Sequence, residues 1–318
     1  MIANLVSTVI PVYNRGAMLR QAVSSVLAQT WRPLEIVIVD DGSSDDTAQV
    51  ASELQARHPE ITQVLHQANA GPGPARQRGL EAARGEFIQF LDSDDLLLPH
   101  KFELQMKGLS EDPEAGISYG KTYARSNGVR LPAPSQLSGE RHRDIFPALL
   151  RGRLWETSTP LYRRSALAAI GAWSARRQLE DWEFDCRAGA VGIKLNYCEQ
   201  FLAEYINHDE PRLCHLWMKD VQAMRDRITA YIEVLGHAKR AGVKRDAPEM
   251  KQFVRSLFWM ARNAASYGLA QEGRQLFEIA RSEALNPGID YRLYGLASQL
   301  LGWKRASRVA EALQRLRS

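Results

Sequence analysis

Gly85-Glu86-Phe87-Ile88-Gln89-Phe90-Leu91-Asp92-Ser93-Asp94-Asp95 decides how the chain is read. The apolar run FIQFL has the length of a buried strand, and three acids follow it at once. Carboxyl ends of strands in an open parallel sheet are where ligands bind, because loops converge there and helix N-termini supply backbone donors. Extended backbone puts residues i and i+2 on one side, so Asp92 and Asp94 are alternate carboxylates suited to a ribose and a divalent cation. Mg²⁺ or Mn²⁺ accepts one or two carboxylates plus ligand phosphates. The competing reading, simple turn formers, is the weaker one because three clustered acids repel unless something cationic sits among them.

Outward from this strand the pattern repeats. Residues 5–10 read as a strand leading into Pro11-Val12-Tyr13-Asn14, and residues 17–29 as a helix with Leu19, Ala22, Val23, Val26 and Leu27 on one face. Residues 34–39 form a β-branched run ending in Asp40-Asp41-Gly42-Ser43, and SSDDT caps a helix bearing Ala48, Val50, Ala51 and Leu54. Alone, residues 40–46 read as an ordinary strand-to-helix turn. Residues 61–65 are expected as a third strand, Gly73-Pro74 to open a helix that Gly85 closes, and residues 87–91 as a fourth strand. Tyr13 is then placed to stack on a nucleobase and Asp41 to accept its imide hydrogen.

Beyond Pro99 the reading is a short helix, a strand over 117–123, and an Asn127-Gly128 turn into a Pro-containing loop. A strand over 157–162, a helix over 164–170 stopped by Gly171 and a helix over 180–191 follow. From Leu213 strand signals vanish, and apolar residues recur at helical spacing through Phe253, Leu257, Met260 and Ala261, then Val309, Leu313 and Leu316. The expected division is 1–212 and an all-helical 213–318.

With 45% hydrophobic and 25% charged residues among 318, wholesale disorder, collagen and coiled-coil classes are excluded. No apolar run approaches a membrane span, and the opening residues lack a basic start and a cleavage pattern. Cys186, Cys198 and Cys214 match no C-x-x-C pattern, which points to a reducing cytoplasm. Residues 213–318 hold 18 basic against 10 acidic residues, and the rest of the chain 23 against 27. The basic character therefore belongs to the C-terminal third, as a solvated face or as an attachment to an anionic surface.

IPVYN, VDDGSSDDT, NAGPGPARQRG, GEFIQFLDSDD and LEDWEFDCR stand in the order found in family 2 glycosyltransferases, and residues 5–210 resemble that family. The likeness is to inverting enzymes of bacterial polysaccharide or lipopolysaccharide synthesis. It implies an α/β fold of the GT-A (nucleotide-diphospho-sugar transferase) type, a mostly parallel central sheet flanked by helices, with an all-helical C-terminal appendage. It further implies that Pro11, Tyr13, Asn14, Asp41, Arg76, Asp92, Ser93, Asp94, Glu180 and Trp182 line a nucleotide-sugar site. Tyr13 and Asp41 would hold the base, Asp92 the ribose or sugar, and Asp94 the Mn²⁺ or Mg²⁺ that bridges the diphosphate. Asp181 corresponds to the catalytic base. Where many members read Y-R-x-H, this chain has Tyr205-Ile206-Asn207-His208, so His208 completes the metal shell or is a plain surface histidine. Gln77 replaces the Asn of the family's A-R-N-x-G segment.

The implied reaction moves a sugar from a nucleotide-diphosphate donor, most often UDP-linked in this family, to a saccharide or lipid-linked acceptor. Displacing the diphosphate needs its charge neutralised and a base for the acceptor hydroxyl, and direct attack inverts the anomeric carbon. A dinucleotide-dependent oxidoreductase is disfavoured because PVYNRG carries one glycine and Gly71-Pro72-Gly73 meets Arg76 where a third glycine belongs. No P-loop or basic triphosphate loop occurs. The alternative that stays open is a catalytically silent nucleotide-binding or scaffold protein of the same fold. Trp155, Trp173 and Trp182 form either an acceptor platform or core. The terminal WKRASRVAEALQRLRS is read as a peripheral contact with an anionic membrane at the inner face. Its alternative has Val309, Ala310, Leu313 and Leu316 packing on the helix with Leu293, Leu296, Ala297 and Leu300, or on a second subunit as a homodimer. No nucleic-acid partner is expected.

Overall fold

The alternation of short apolar runs and amphipathic stretches in the first ninety residues becomes a βαβ series: β1 (Ile2–Val12), α1 (Gly16–Leu27), β2 (Leu34–Asp40), α2 (Thr47–Arg57), β3 (Thr62–His66), α3 (Pro72–Ala82) and β4 (Gly85–Phe90). The computed structural model describes residues 1–208 and 220–315, with side chains described as far as 309. β1 runs parallel to β2 and β4, in register from Val6 against Leu34 to Val12 against Asp40, and β2 is parallel to β3. Val6, Ile10, Ile36 and Ile38 are fully buried with Leu19, Val23 and Val26 of α1 and Val50 and Leu54 of α2. That packing buries Leu34, Ile36 and Ile38 of β2, and the alternate face is covered from the α3 side, where Gly79 lies against Val39, so every residue of β2 is buried.

The chain continues through β5 (Leu96–Leu97), α4 (Lys101–Glu111), β6 (Ala115–Ser126), β7 (Val129–Pro134), a 3-10 turn at Ala148–Leu150, β8 (Leu161–Arg163), α5 (Arg164–Ile170), α6 (Glu180–Ala190) and β9 (Lys194–Asn207). The sheet order is β3-β2-β1-β4-β8-β6-β9-β5, with β7 on β6. Its first four strands are parallel, β8 is antiparallel to both its neighbours, and β6 and β9 are parallel again. The order reverses at β1, where β2 and β3 lie on one side and β4 on the other. That reversal is a topological switch point, the place where such sheets bind ligands.

Local expectations were altered in four places. Gly85 opens β4 instead of closing α3, because a Cβ there would collide with Ser7 and the Leu5 carbonyl of β1. The segment after Asn127-Gly128 is not a loop: both residues take positive φ (50° and 77°) in a hairpin turn, and β7 pairs back on β6. Its prolines are tolerated because β7 is an edge strand. The strand expected over 157–162 shrinks to β8. β9, 14 residues long, was not anticipated at all.

The chain divides into two compact units, Met1–Ile145 with Gly152–Glu210, and Phe146–Arg151 with Pro211–Ser318. The second holds α7 (Val221–Arg240), α8 (Pro248–Ser266), α9 (Ala270–Glu283), α10 (Ile289–Leu301) and α11 (Trp303–Arg315). Asp220 caps α7 by accepting from the Gln222 N–H at 2.8 Å. The core is aromatic: Phe258 stacks on Tyr291 at 4.2 Å between centroids, and Trp303 meets Phe277 edge-on at 5.4 Å. Among the described residues no helix is long and apolar enough to cross a membrane. Cys186 and Cys198 are free thiols; Cys214 and the side chains of Ala310, Leu313 and Leu316 lie outside the described residues.

Candidate active site

Three strand ends meet at the switch point. After β1, Pro11 stays inside the sheet opposite Val39, Tyr13 projects with 46% of its surface exposed, and Asn14 takes φ +51°. The Asn14 N–H donates to Ser43 Oγ (2.9 Å) and its side-chain oxygen accepts from the Ser44 N–H (2.8 Å), tying the β1 and β2 loops together. Asp40 behaves as a turn former: Oδ1 accepts from the Ser43 N–H at 3.0 Å. Asp41 is buried, and its Oδ1 accepts from the Gln67 side chain (2.7 Å) and the Ala70 N–H (2.8 Å) while Oδ2 accepts from the Gly71 N–H (2.8 Å). A carboxylate has about four acceptor positions, so Asp41 anchors the loop before α3 and keeps roughly one position for a ligand.

After β4 the acid cluster meets its cations within the chain. Arg76 of α3, almost wholly buried, donates from Nη2 to Asp92 Oδ1 (2.7 Å) and from Nη1 to Glu180 Oε1 (2.9 Å), with its guanidinium 4.9 Å from the Trp173 ring centre. Arg15 pairs with Asp94 Oδ2, and His208 Nε2 lies 3.0 Å from the same oxygen. Asp95 turns inward: Oδ2 accepts from Ser158 Oγ (2.9 Å) and Oδ1 from the Ile206 N–H (3.2 Å). Burial, then the charges of Asp94 and Asp92, hold its carboxyl well above the usual range. Asp95 thereby fastens the end of β9, which leads into His208, beside Asp94. Ser93 is buried between these acids.

Glu180, Asp181 and Glu183 fill the first turn of α6, where the helix dipole favours negative charge. Leu179, just before it, sits in the left-handed region at φ +59°, which is strained for a branched side chain and common at functional sites. Asp181 Oδ2 receives Arg153 Nη1 at 2.6 Å, and Oδ1 accepts from the Trp182 N–H at 2.7 Å. Arg153 also approaches Asp185 Oδ2 (3.7 Å) and Glu156 Oε2 (3.9 Å). Burial and the neighbouring Asp181 charge push Glu180 up to about 7 against the pull of Arg76. Gln77 keeps a polar role, its Oε1 accepting from the Trp173 N–H at 3.2 Å.

The three tryptophans are buried. Trp173 stacks on Phe184 at 3.9 Å, Trp155 packs on Tyr119, and Trp182 is 7% exposed, so the core reading holds and no stacking platform is presented. Asp95 is the third acid of the cluster read from the sequence, and the structure turns it inward as a support. Arg15, Arg153, Glu156 and Asp185 join the candidate site without having been singled out; of these four, Asp185 had a sequence signal, its i+4 spacing from Asp181 on one helix.

Asp185 carries a testable pH dependence. Burial pushes it up to about 7, opposed by Arg153, against 3.8 for an ordinary Asp. Between those values the folded chain keeps a proton that the unfolded chain has lost, so this group's contribution to stability falls as pH rises from about 4 to 7. Asp185→Asn removes that slope. Thermal melts of the variant relative to the parent are expected to be more favourable at pH 8 than at pH 5; parallel melting curves across that range would contradict the buried protonated carboxyl.

Residues 7–169, 163 of 318, match the family model described as Glycosyl transferase family 2. The chain is 41% identical over 109 residues to the uncharacterized glycosyltransferase YibD of Escherichia coli K12, covering 34% of this chain and 31% of YibD. It is 36% identical over 188 residues to an uncharacterized glycosyltransferase of Haemophilus influenzae, covering 57% and 71%. The chain spans about a third to three fifths of the length of the first curated relatives it matches. Among solved structures it is similar to Staphylococcus aureus TarS 1–349 in complex with UDP-GlcNAc, with a TM-score of 0.63 and 18% identity over 93% of this chain and 92% of that one. The mannosyltransferase PcManGT of Pyrobaculum calidifontis, in complex with GDP-Man and Mn²⁺, gives 0.55 and 14% over 98% and 87%. These two likenesses concern the fold, a GT-A arrangement whose strand ends gather the acids described above. With the family model running from β1 to the last turn of α5, the chain belongs to glycosyl transferase family 2.

Proposed function

We propose that the chain is an inverting glycosyltransferase that moves a sugar from a nucleotide-diphosphate donor, UDP-linked as first choice, to a saccharide or lipid-linked acceptor of cell-surface glycan synthesis. The observation that carries this reading is the Arg76 bridge, 2.7 Å to Asp92 and 2.9 Å to Glu180. It joins the strand end that would grip a donor to the helix turn that presents Asp181. Tyr13 offers its ring to the base, Asp41 its remaining acceptor position, and Asp92 its exposed edge to a ribose or sugar hydroxyl. Asp181, oriented by Arg153 and by the Trp182 N–H, accepts the acceptor's proton as its oxygen attacks.

A divalent cation fits the residues present. Asp94 and His208 bring a carboxylate oxygen and an imidazole nitrogen to one point, 3.0 Å apart, and Mn²⁺ or Mg²⁺ takes such donors together with phosphate oxygens. Asp94 and His208 would hold the cation, with phosphate oxygens of the nucleotide as its further ligands. When bound, the cation supplies Lewis-acid neutralisation of the departing diphosphate. Metal affinity is therefore expected to depend on nucleotide. Calorimetry should find Mn²⁺ binding strengthened by UDP or GDP, and Asp94→Asn should abolish that strengthening. Equal nucleotide affinity with and without metal in both proteins would remove the metal from the proposal, and no nucleotide binding at all would remove the function.

A further inference from the structure

α10 faces solvent with the residues expected to cover α11. Ile289, Leu293, Leu296 and Leu300, at spacings of four, three and four, fall on one side of the helix and are 74%, 59%, 57% and 84% exposed. The opposite side does the packing: Tyr291, Tyr294 and Ser298 are buried, with both tyrosine rings against Phe258 and Phe277. The inward face of α11 begins with Ala306 and Ser307, whose Oγ is 2.7 Å from Tyr294 Oη. Among the described residues nothing packs over the leucine stripe.

What borders the stripe is cationic and aromatic. Arg255 of α8 reaches Asp290 of α10 at 3.3 Å, next to Ile289 at the start of the stripe, and Trp259 and Arg262 follow Arg255 on the same face of α8. Trp259 is 48% exposed, with the Arg262 guanidinium 6.0 Å from its ring centre. Arg292 flanks the stripe on α10 itself. At its far end the chain turns at Gly302 into exposed Lys304, Arg305 and Arg308. Among the described side chains of α10 and α11, Arg292, Lys304, Arg305 and Arg308 are cationic and Asp290 is the single acid, itself paired with Arg255. The apolar stripe offers on the order of 500 Å², short of the roughly 800 Å² per partner of a stable protein pair. An apolar ridge with an interfacial tryptophan and a basic border is the composition that lies in the headgroup boundary of an anionic bilayer.

We propose that α10, bordered by Trp259 and these cations, docks the helical unit on an anionic lipid surface, with the leucines buried among the upper acyl carbons. This stands apart from the glycosyl-transfer reading, since docking needs neither nucleotide nor acceptor. The test is flotation of the full chain with phosphatidylcholine vesicles, with and without phosphatidylglycerol. Binding is expected only with phosphatidylglycerol and is expected to weaken with salt, as screening requires. Leu293→Gln/Leu296→Gln/Leu300→Gln keeps good helix formers at exposed positions and should lower vesicle affinity at least about 100-fold at an unchanged melting temperature. Arg292→Gln/Lys304→Gln/Arg305→Gln should erase the preference for phosphatidylglycerol. Three results would overturn the proposal: full-length protein left in the soluble fraction at low salt, equal flotation by the leucine variant, or a lipid-free dimer that the leucine variant converts to monomer.

Discussion

Asp181→Asn is expected to slow sugar transfer by about 10²- to 10⁴-fold, the usual worth of a general base, while nucleotide-sugar affinity stays within about twofold. The amide preserves shape and can still accept the 2.7 Å bond from the Trp182 N–H, but it cannot take a proton from an attacking hydroxyl. Donor affinity is expected to persist because the isosteric amide leaves in place Tyr13, Asp41 and Asp92, the residues proposed above to hold the donor, which stand on other segments than α6. Steady-state kinetics with a donor identified by thermal shift, beside calorimetry of the same donor, separates the two quantities. NMR of the product adds a stereochemical check: an α-linked donor should give a β-linked product. A retained configuration, or a variant with undiminished kcat, would take the base role from Asp181.

Arg76→Met should cost about 3 kcal/mol of stability, the low end of the range for stripping one partner from a buried ion pair. The low end applies because the Asp92 side chain is 32% exposed and can recover hydration, whereas that of Glu180, at 9%, cannot. Methionine fills much of the same volume over Trp173, so the loss is chiefly electrostatic. The consequence reaches beyond stability: the link between Asp92 and Glu180 is lost, and the Glu180 carboxyl, already pushed up to about 7 against the pull of Arg76, shifts further toward its protonated form. Thermal unfolding should show a drop of several degrees, and nucleotide affinity should fall in parallel. Arg76→Lys, which keeps the charge but cannot span both carboxylates with a planar fork, should recover stability only in part. A parental melting temperature in Arg76→Met would show that the bridge carries no weight.

The half of the fold with parallel strands was legible because its signals are local. β1, β2 and β4 are each built on a largely apolar run and each leads directly into residues singled out from the sequence, so sequence order and spatial order coincide at Tyr13, Asp41 and Asp92. β9 escaped because Lys-Leu-Asn-Tyr-Cys-Glu-Gln-Phe interleaves polar and apolar residues without a clean period, and its partner residues on β6 lie about 80 positions earlier. β7 escaped because Pro132 and Pro134 argue for a loop unless the strand is known to be an edge. Arg15 and Arg153 illustrate a different limit. Each meets its carboxylate, Asp94 or Asp181, 79 or 28 residues away, and an arginine's partner is set by tertiary closure, which no spacing rule conveys. The leucines of α10 show the converse: their periodicity correctly marked a helix and said nothing about which way the apolar side would face.

The chain enters the helical unit twice, first as Phe146–Arg151 and again from Pro211. Ala148, Leu149 and Leu150 in that first visit are all buried. The helical unit is therefore not a cassette that can be exchanged between relatives by a single crossover near residue 212. A recombinant joined there would inherit an orphaned hexapeptide with three apolar side chains uncovered, while the transplanted helices would lack the plug that completes them. Exchange of this unit is therefore expected to succeed only when the Ile145–Gly152 loop is exchanged with it, since the two segments belong to one compact unit despite lying some sixty residues apart.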